Sequence, residues 1–94
     1  MINIGLYYRV KEGHNADFEN YFGKVVEKLR ESDFGFIDGK IYREVTNPDE
    51  YMIYTEWKDT EGFAKFMKSS AFFETIEFGK TIIEGQPRHK IFNA

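Results

Sequence analysis

Cysteine is absent from these 94 residues. No disulfide framework, thiolate nucleophile or thiolate metal site can therefore form. Long apolar runs are absent too, and none approaches the length of a membrane span. The N-terminal MINIGLYYRV alternates, unlike the continuous apolar region of a signal peptide. Charge of one sign never accumulates: the net charge is -3 and there is no basic run. Nucleic acid is therefore not expected as the main partner. Repeats, low-complexity segments and linkers are missing as well. The expectation is one domain over residues 1–94, in the cytoplasm.

Aromatic residues are abundant: ten Phe, six Tyr and one Trp. In a small domain they build a thick core or line a cavity. A hydrophobic fraction of 41% and a charged fraction of 31% fit a soluble globular chain. A chain this short buries a modest core, so a second copy would add stability.

The spacing predicts a strand over residues 2–11, where Ile2, Ile4, Leu6, Tyr8 and Val10 alternate with Asn3, Gly5, Tyr7 and Arg9. Asn15 reads as an N-cap with Asp17 in the first turn. Phe18, Phe22, Val25, Val26 and Leu29 then follow at helical spacing over residues 16–31. A second strand is expected over 36–45, with Ile37, Ile41 and Val45 on one face, Tyr42 on the other and a bulge at Gly39. TNPDE makes a turn. Tyr51, Ile53, Thr55 and Trp57 alternate with Met52, Tyr54 and Glu56 as a third strand, in a hairpin with the second.

Asp59 or Thr60 caps the next helix, and Glu61 supports its first turn. Phe63, Phe66 and Met67 share a stripe that Phe72 and Ile76 continue, and Ser69 or Ser70 kinks or restarts the helix. Gly79 and Gly85 read as terminators, and Pro87–Phe92 as a short last strand. The order β-α-β-β-α-β points to a ferredoxin-like α+β fold, a four-stranded antiparallel sheet with its helices on one face. The other face carries Gly5, Tyr7, Met52 and Tyr54. Large apolar groups there mark an interface, most simply a two-fold homodimer, sheet against sheet.

The stretch WKDTEGFAKFMKSSAF, residues 57–72, resembles the signature of the antibiotic biosynthesis monooxygenase (ABM) family. That signature is a strand-ending Trp, a cap, two aromatics three residues apart, then Ser and Phe. DFGFIDGKIYREVTNPDEYMIYTEW is similar to the segment of the family that precedes this Trp. The resemblance implies a dimeric α+β barrel of two ferredoxin-like subunits. It implies either an oxygenase for aromatic or quinol substrates that uses no metal or organic cofactor, or a non-catalytic dimeric ligand-binding or structural protein.

Haem-degrading relatives carry a helical Trp and, ten residues later, a His that ligates iron. The matching positions here are Phe66 and Ile76, which disfavours haem degradation. His14 and His89 lie elsewhere, and no metal site is expected. Trp57 has two readings, a core plug with its indole N–H satisfied or the wall of a pocket. The expected apolar ligand pocket is bounded by Trp57, Phe63, Phe66, Phe72 and Ile76. Tyr8 and Tyr54 are the candidate catalytic hydroxyls that would stabilise a substrate anion.

Overall fold

The computed structural model describes residues 1–93. Its elements are β1 (Ile2–Val10), α1 (Asn15–Glu31), β2 (Phe36–Arg43), β3 (Glu50–Trp57), α2 (Thr60–Met67), α3 (Ser70–Ile82) and β4 (Ile83–Asn93). The sheet order is β2-β3-β1-β4, and every neighbouring pair is antiparallel. This is the ferredoxin-like α+β fold. No helix among the described residues is long and apolar enough to cross a membrane.

Alternation decides which face each strand residue takes. On β3, Tyr51, Ile53, Thr55 and Trp57 are buried while the residues between them are partly exposed. Two clusters form beneath the helices. One joins Ile4, Leu29, Trp57, Phe63 and Phe66. The other joins Val10, Phe18, Tyr51, Ile53 and Ile82. The opposite face carries Tyr7 paired with Met52 and Gly5 paired with Tyr54. Tyr42 and Phe92 stand exposed at its two sides.

Strand β2 departs from plain alternation. Its register shifts between Phe36 and Asp38, so the expected bulge falls just ahead of Gly39. The shift puts Phe36, Gly39 and Ile41 in phase with the helix side. Ile37 is the extra residue, 42% exposed, and Val45 lies outside the strand at 96%. The expected face of Ile37, Ile41 and Val45 is thus reduced to Ile41: the bulge inverts the phase of what precedes it, and the strand ends at Arg43 before reaching Val45.

The helix ends differ similarly. His14, not Asn15, is the N-cap of α1, and it makes no side-chain cap bond. The Asn15 amide instead donates to the carbonyl of Pro48 (2.9 Å) and the hydroxyl of Tyr51 (3.1 Å). Tertiary partners have taken the group that would have capped. Asp59 does cap α2, accepting from the Gly62 N–H at 2.9 Å. Ser69 restarts the chain as α3, accepting from Phe72 N–H.

Gly79 does not terminate α3. It is buried within the helix, where an added Cβ would meet Ile83 Cδ1 at 3.1 Å. Gly85, at φ 73°, lies inside β4. That strand begins four residues earlier than Pro87, because Ile83 and Glu84 pair with Val10 and Arg9. Pro87 falls in the register shift that follows, where a missing N–H breaks no ladder bond.

Candidate functional site

The space beneath Trp57 is filled by aromatic rings. Trp57 is 1% exposed. Phe36 and Phe63 meet its ring edge-on at centroid distances of 5.4 and 5.2 Å, and Phe66 lies at 5.7 Å. Phe72 packs edge-on against Phe66 at 5.3 Å. The indole N–H donates to Thr55 Oγ1 (2.8 Å), and that hydroxyl donates to the Ile4 carbonyl (2.9 Å). Every polar atom of this unit is satisfied, as buried groups require. In this structure Trp57 is a core plug, and Phe63, Phe66 and Phe72 occupy the volume expected to be a pocket.

The two candidate hydroxyls lie on opposite faces of the sheet. Tyr8 points to the helix side, its ring 5.5 Å from that of Phe18. Burial pushes its phenol up to about 12, so it remains a neutral donor and not a base. Tyr54 lies on the open face, opposite Gly5 and Lys40. The structure therefore does not bring them together. Ile76 is 38% exposed on α3. His14 contacts Asp17 at 3.3 Å, whereas the His89 ring lies 6.2 Å from that of Phe63.

Open space lies elsewhere among the described residues: a broad, solvent-open groove of about 520 Å³ between the segment 32–37 and the start of α2, and a smaller, more enclosed cleft between α1 and α3. The cleft, of about 80 Å³, is lined by Tyr21, Lys24, Val25, Lys28 and Leu29 on α1 and by Ala71 and Thr75 on α3. Phe34 and Phe66 complete it. Phe66 is the one residue shared with the expected pocket. Two contacts cross from helix to helix near this cleft. Tyr21 stacks on Phe78 with centroids 4.0 Å apart, and Lys28 Nζ reaches Glu74 Oε2 at 3.5 Å. Lys24 stands between them in sequence and forms no ion pair among the described residues. The only sequence signal was the helical spacing of Tyr21, Lys24, Val25 and Lys28, which places them on neighbouring faces of α1.

A second polar unit ties α1 to the β2–β3 hairpin. The buried Tyr51 hydroxyl donates to Glu19. It accepts from Arg43 Nε (3.2 Å) and Nη2 (3.1 Å) and from the Asn15 amide. Arg43 also contacts Glu19. The Tyr51 hydrogen bond, joined by Arg43, holds the Glu19 carboxyl below its ordinary range against the opposing effect of desolvation.

A group depressed in the folded state adds stability above its unfolded pKa and loses it as pH falls through the folded one. Tyr51→Phe is therefore expected to cost about 1 kcal/mol at neutral pH. It should also flatten the fall in stability on acidification below the ordinary carboxylate range. Urea midpoints from pH 7 to 3 test this, and parallel curves for variant and wild type would exclude it.

Comparison with known proteins agrees with this architecture. The family model described as antibiotic biosynthesis monooxygenase matches residues 1–77. A relative from Natronomonas pharaonis, named "Putative heme-binding protein", is 30% identical over 86 residues. The match covers 92% of this chain but 14% of that protein. Among solved structures, a conserved protein from Methanosarcina mazei Go1 superposes with a TM-score of 0.87 at 23% identity, covering 98% of this chain and 90% of that one. SnoaB, a cofactor-independent oxygenase from Streptomyces nogalater, superposes at 0.85 with 19% identity over 99% and 91% of the two chains. At such identities the structures establish the fold alone, whereas the family match spans most of the sequence. The chain belongs to the antibiotic biosynthesis monooxygenase family.

Proposed function

We propose that this chain is a homodimeric ABM oxygenase that takes a small phenol or quinol at the α1–α3 cleft without a metal or organic cofactor. The observation that carries the reading is the make-up of the cleft. Val25, Leu29, Phe34, Phe66 and Ala71 offer apolar contact, while Tyr21, Thr75, Lys24 and Lys28 supply hydroxyls and positive charge. An apolar wall with a few convergent polar groups suits a flat ring bearing oxygen. Nearby cations lower the pKa of a bound phenol, and its anion can donate electrons to dioxygen. The ring ends as a quinone: its O–H proton and one ring C–H hydrogen are lost, one oxygen of dioxygen becomes the new ring carbonyl and the other leaves as water with those two hydrogens, so the substrate supplies all four electrons. At about 80 Å³ the cleft is smaller than a typical ligand site. Binding therefore requires the cleft to widen locally, and the exposed Lys28–Glu74 pair at its edge is weak enough to yield.

Oxygen uptake with a panel of hydroquinones and polycyclic phenols tests the reading. Wild type is expected to exceed buffer. Tyr21→Phe keeps the stack on Phe78 but removes the donor, and should lower the rate about a hundredfold. Tyr8→Phe and Tyr54→Phe should leave it unchanged. Wild-type rates equal to buffer throughout would rule out the oxygenase. The second reading, a non-catalytic dimeric ligand-binding or structural barrel, is favoured by one observation: Trp57, Phe63, Phe66 and Phe72 pack together in the space a large substrate would need.

Haem, raised by the relative's name, is disfavoured at the positions to which the resemblance points. Ile76 has no donor atom, and Phe66 is packed in the core. Dimerisation is supported by the open face of Tyr7, Met52, Tyr54 and Phe92. Light scattering should give a mass near twice 11.1 kDa, and a monomer at micromolar concentration would refute the barrel.

A further inference from the structure

Lys24 and Lys28 sit one helical turn apart on α1, and both line the cleft. Their electrostatic situations differ. Lys28 is paired with Glu74 across the helices, whereas Lys24 has no ion-pair partner among the described residues. The residues lining the cleft include no carboxylate. In a chain of net charge -3, its lining is locally positive. The apolar contact surface, meanwhile, is aromatic and aliphatic. A ligand that meets both features has a flat apolar body and a negative group of its own.

We propose that the α1–α3 cleft selects aromatic anions, with a ring against Phe66, Val25 and Leu29 and a carboxylate held by Lys24. This rests on the cleft being the ligand site, and it adds the substrate class: aromatic carboxylates rather than neutral phenols alone. The Lys28–Glu74 pair sharpens the choice. While Glu74 neutralises Lys28, Lys24 is the only unneutralised charge on the lining, so one anionic group is matched and a second is not. The attraction also acts before contact, drawing an anion toward the cleft.

Equilibrium binding separates this inference from the reading beneath it. The probes are 2-naphthoate and its neutral counterpart 2-naphthalenemethanol, titrated calorimetrically at pH 7 into wild type, Lys24→Met and Glu74→Gln. Methionine retains an apolar stem at an exposed position, so the fold should survive, and a circular dichroism melt verifies it. Wild type is expected to bind the naphthoate about tenfold more tightly than the alcohol, the scale of a charge-assisted hydrogen bond. Lys24→Met should abolish that preference by weakening the naphthoate far more than the alcohol. Glu74→Gln frees Lys28 and should strengthen naphthoate binding.

Equal affinities for the two probes in wild type would overturn anion selection while leaving the cleft as a ligand site. A preference that survives Lys24→Met would overturn the role of Lys24. Failure of both probes to bind would overturn the cleft reading together with this one.

Discussion

Trp57→Ala is expected to lower stability by about 3–5 kcal/mol, the usual cost of truncating a large buried aromatic. On a domain whose total stability is about 5–15 kcal/mol, that approaches global unfolding at physiological temperature. The reason is placement. The Trp57 ring is the shared neighbour of Phe36, Phe63 and Phe66, which join β2, β3 and α2. Deleting it leaves a cavity that several elements must collapse into at once. Trp57→Phe should cost much less, because an aromatic ring still meets Phe63. The Thr55 hydroxyl also keeps its own acceptor, the Ile4 carbonyl. Urea unfolding at 25 °C measures both variants. An alanine variant with an unchanged midpoint and lost ligand binding would transfer Trp57 from the core to the site.

Gly62→Ala is the second large effect, and its sign opposes helix propensity. Alanine in a helix interior normally gains about 0.5–1 kcal/mol over glycine. Here the added Cβ would stand 1.7 Å from the Phe34 carbonyl oxygen and 2.8 Å from its carbon. Both atoms are backbone, so no rotamer change relieves the clash. Either the segment entering β2 or the start of α2 must move. Movement at α2 threatens the Asp59 cap on the Gly62 N–H. Movement of the Phe34 segment threatens the Lys58–Gly35 backbone bond at 2.8 Å and the Phe34–Phe66 contact. The expected loss is about 3 kcal/mol, the upper end of overpacking costs. Gly23→Ala is the matched control. That glycine is exposed in α1 with nothing within 4 Å of its Cβ position, so the substitution should stabilise. If both variants gained stability, the close approach at Gly62 would be disproved.

The functional consequence of these packing constraints concerns where a ligand can go. A core wedged between Trp57, Phe63 and Phe66 is closed to entry. Around the cleft, the α1–α3 boundary is closed by the Tyr21–Phe78 stack, a surface ion pair and the packing around Phe66, while towards the end of α3 Phe18 and Ile82 share a buried cluster against which Phe22 and Phe78 pack. Weakly held stretches like the one around the cleft open more readily than buried ones.

Much of the fold was legible in residue order. The period of two in residues 2–11 and 51–57 and the helical stripe from Phe18 to Leu29 depend on local geometry alone, and the structure has strands over Ile2–Val10 and Glu50–Trp57 and a helix over Asn15–Glu31. At each of the last two helix starts the sequence offered two adjacent candidates, Asp59 or Thr60 and Ser69 or Ser70, because capping is a bond between a side chain and its own turn; the structure selects Asp59 and Ser69. Asn15 showed the limit of that logic. Its amide N–H groups serve Pro48 and Tyr51, 33 and 36 residues away, and no local rule weighs distant acceptors for that side chain against a near backbone N–H donor. The face of Ile37 was unreadable for a related reason: a bulge inserts one residue into the count, and only pairing with β3 reveals it.

The site was decided almost wholly by tertiary structure. Alternation by itself already put Tyr54 on the open face and Tyr8 on the other, and the β1–β3 register agrees; what it could not show is that Tyr8 packs against Phe18. Whether the aromatic stripe of α2 lines a cavity or fills one depends on how closely the helices approach the sheet, a distance that residue spacing does not encode. The α1–α3 cleft exists because two helices separated by the whole β2–β3 hairpin meet imperfectly above Phe66. Local patterns specify which surface each element presents. The gap between two such surfaces is a small difference between large packed volumes, and it is settled only when all of them come together.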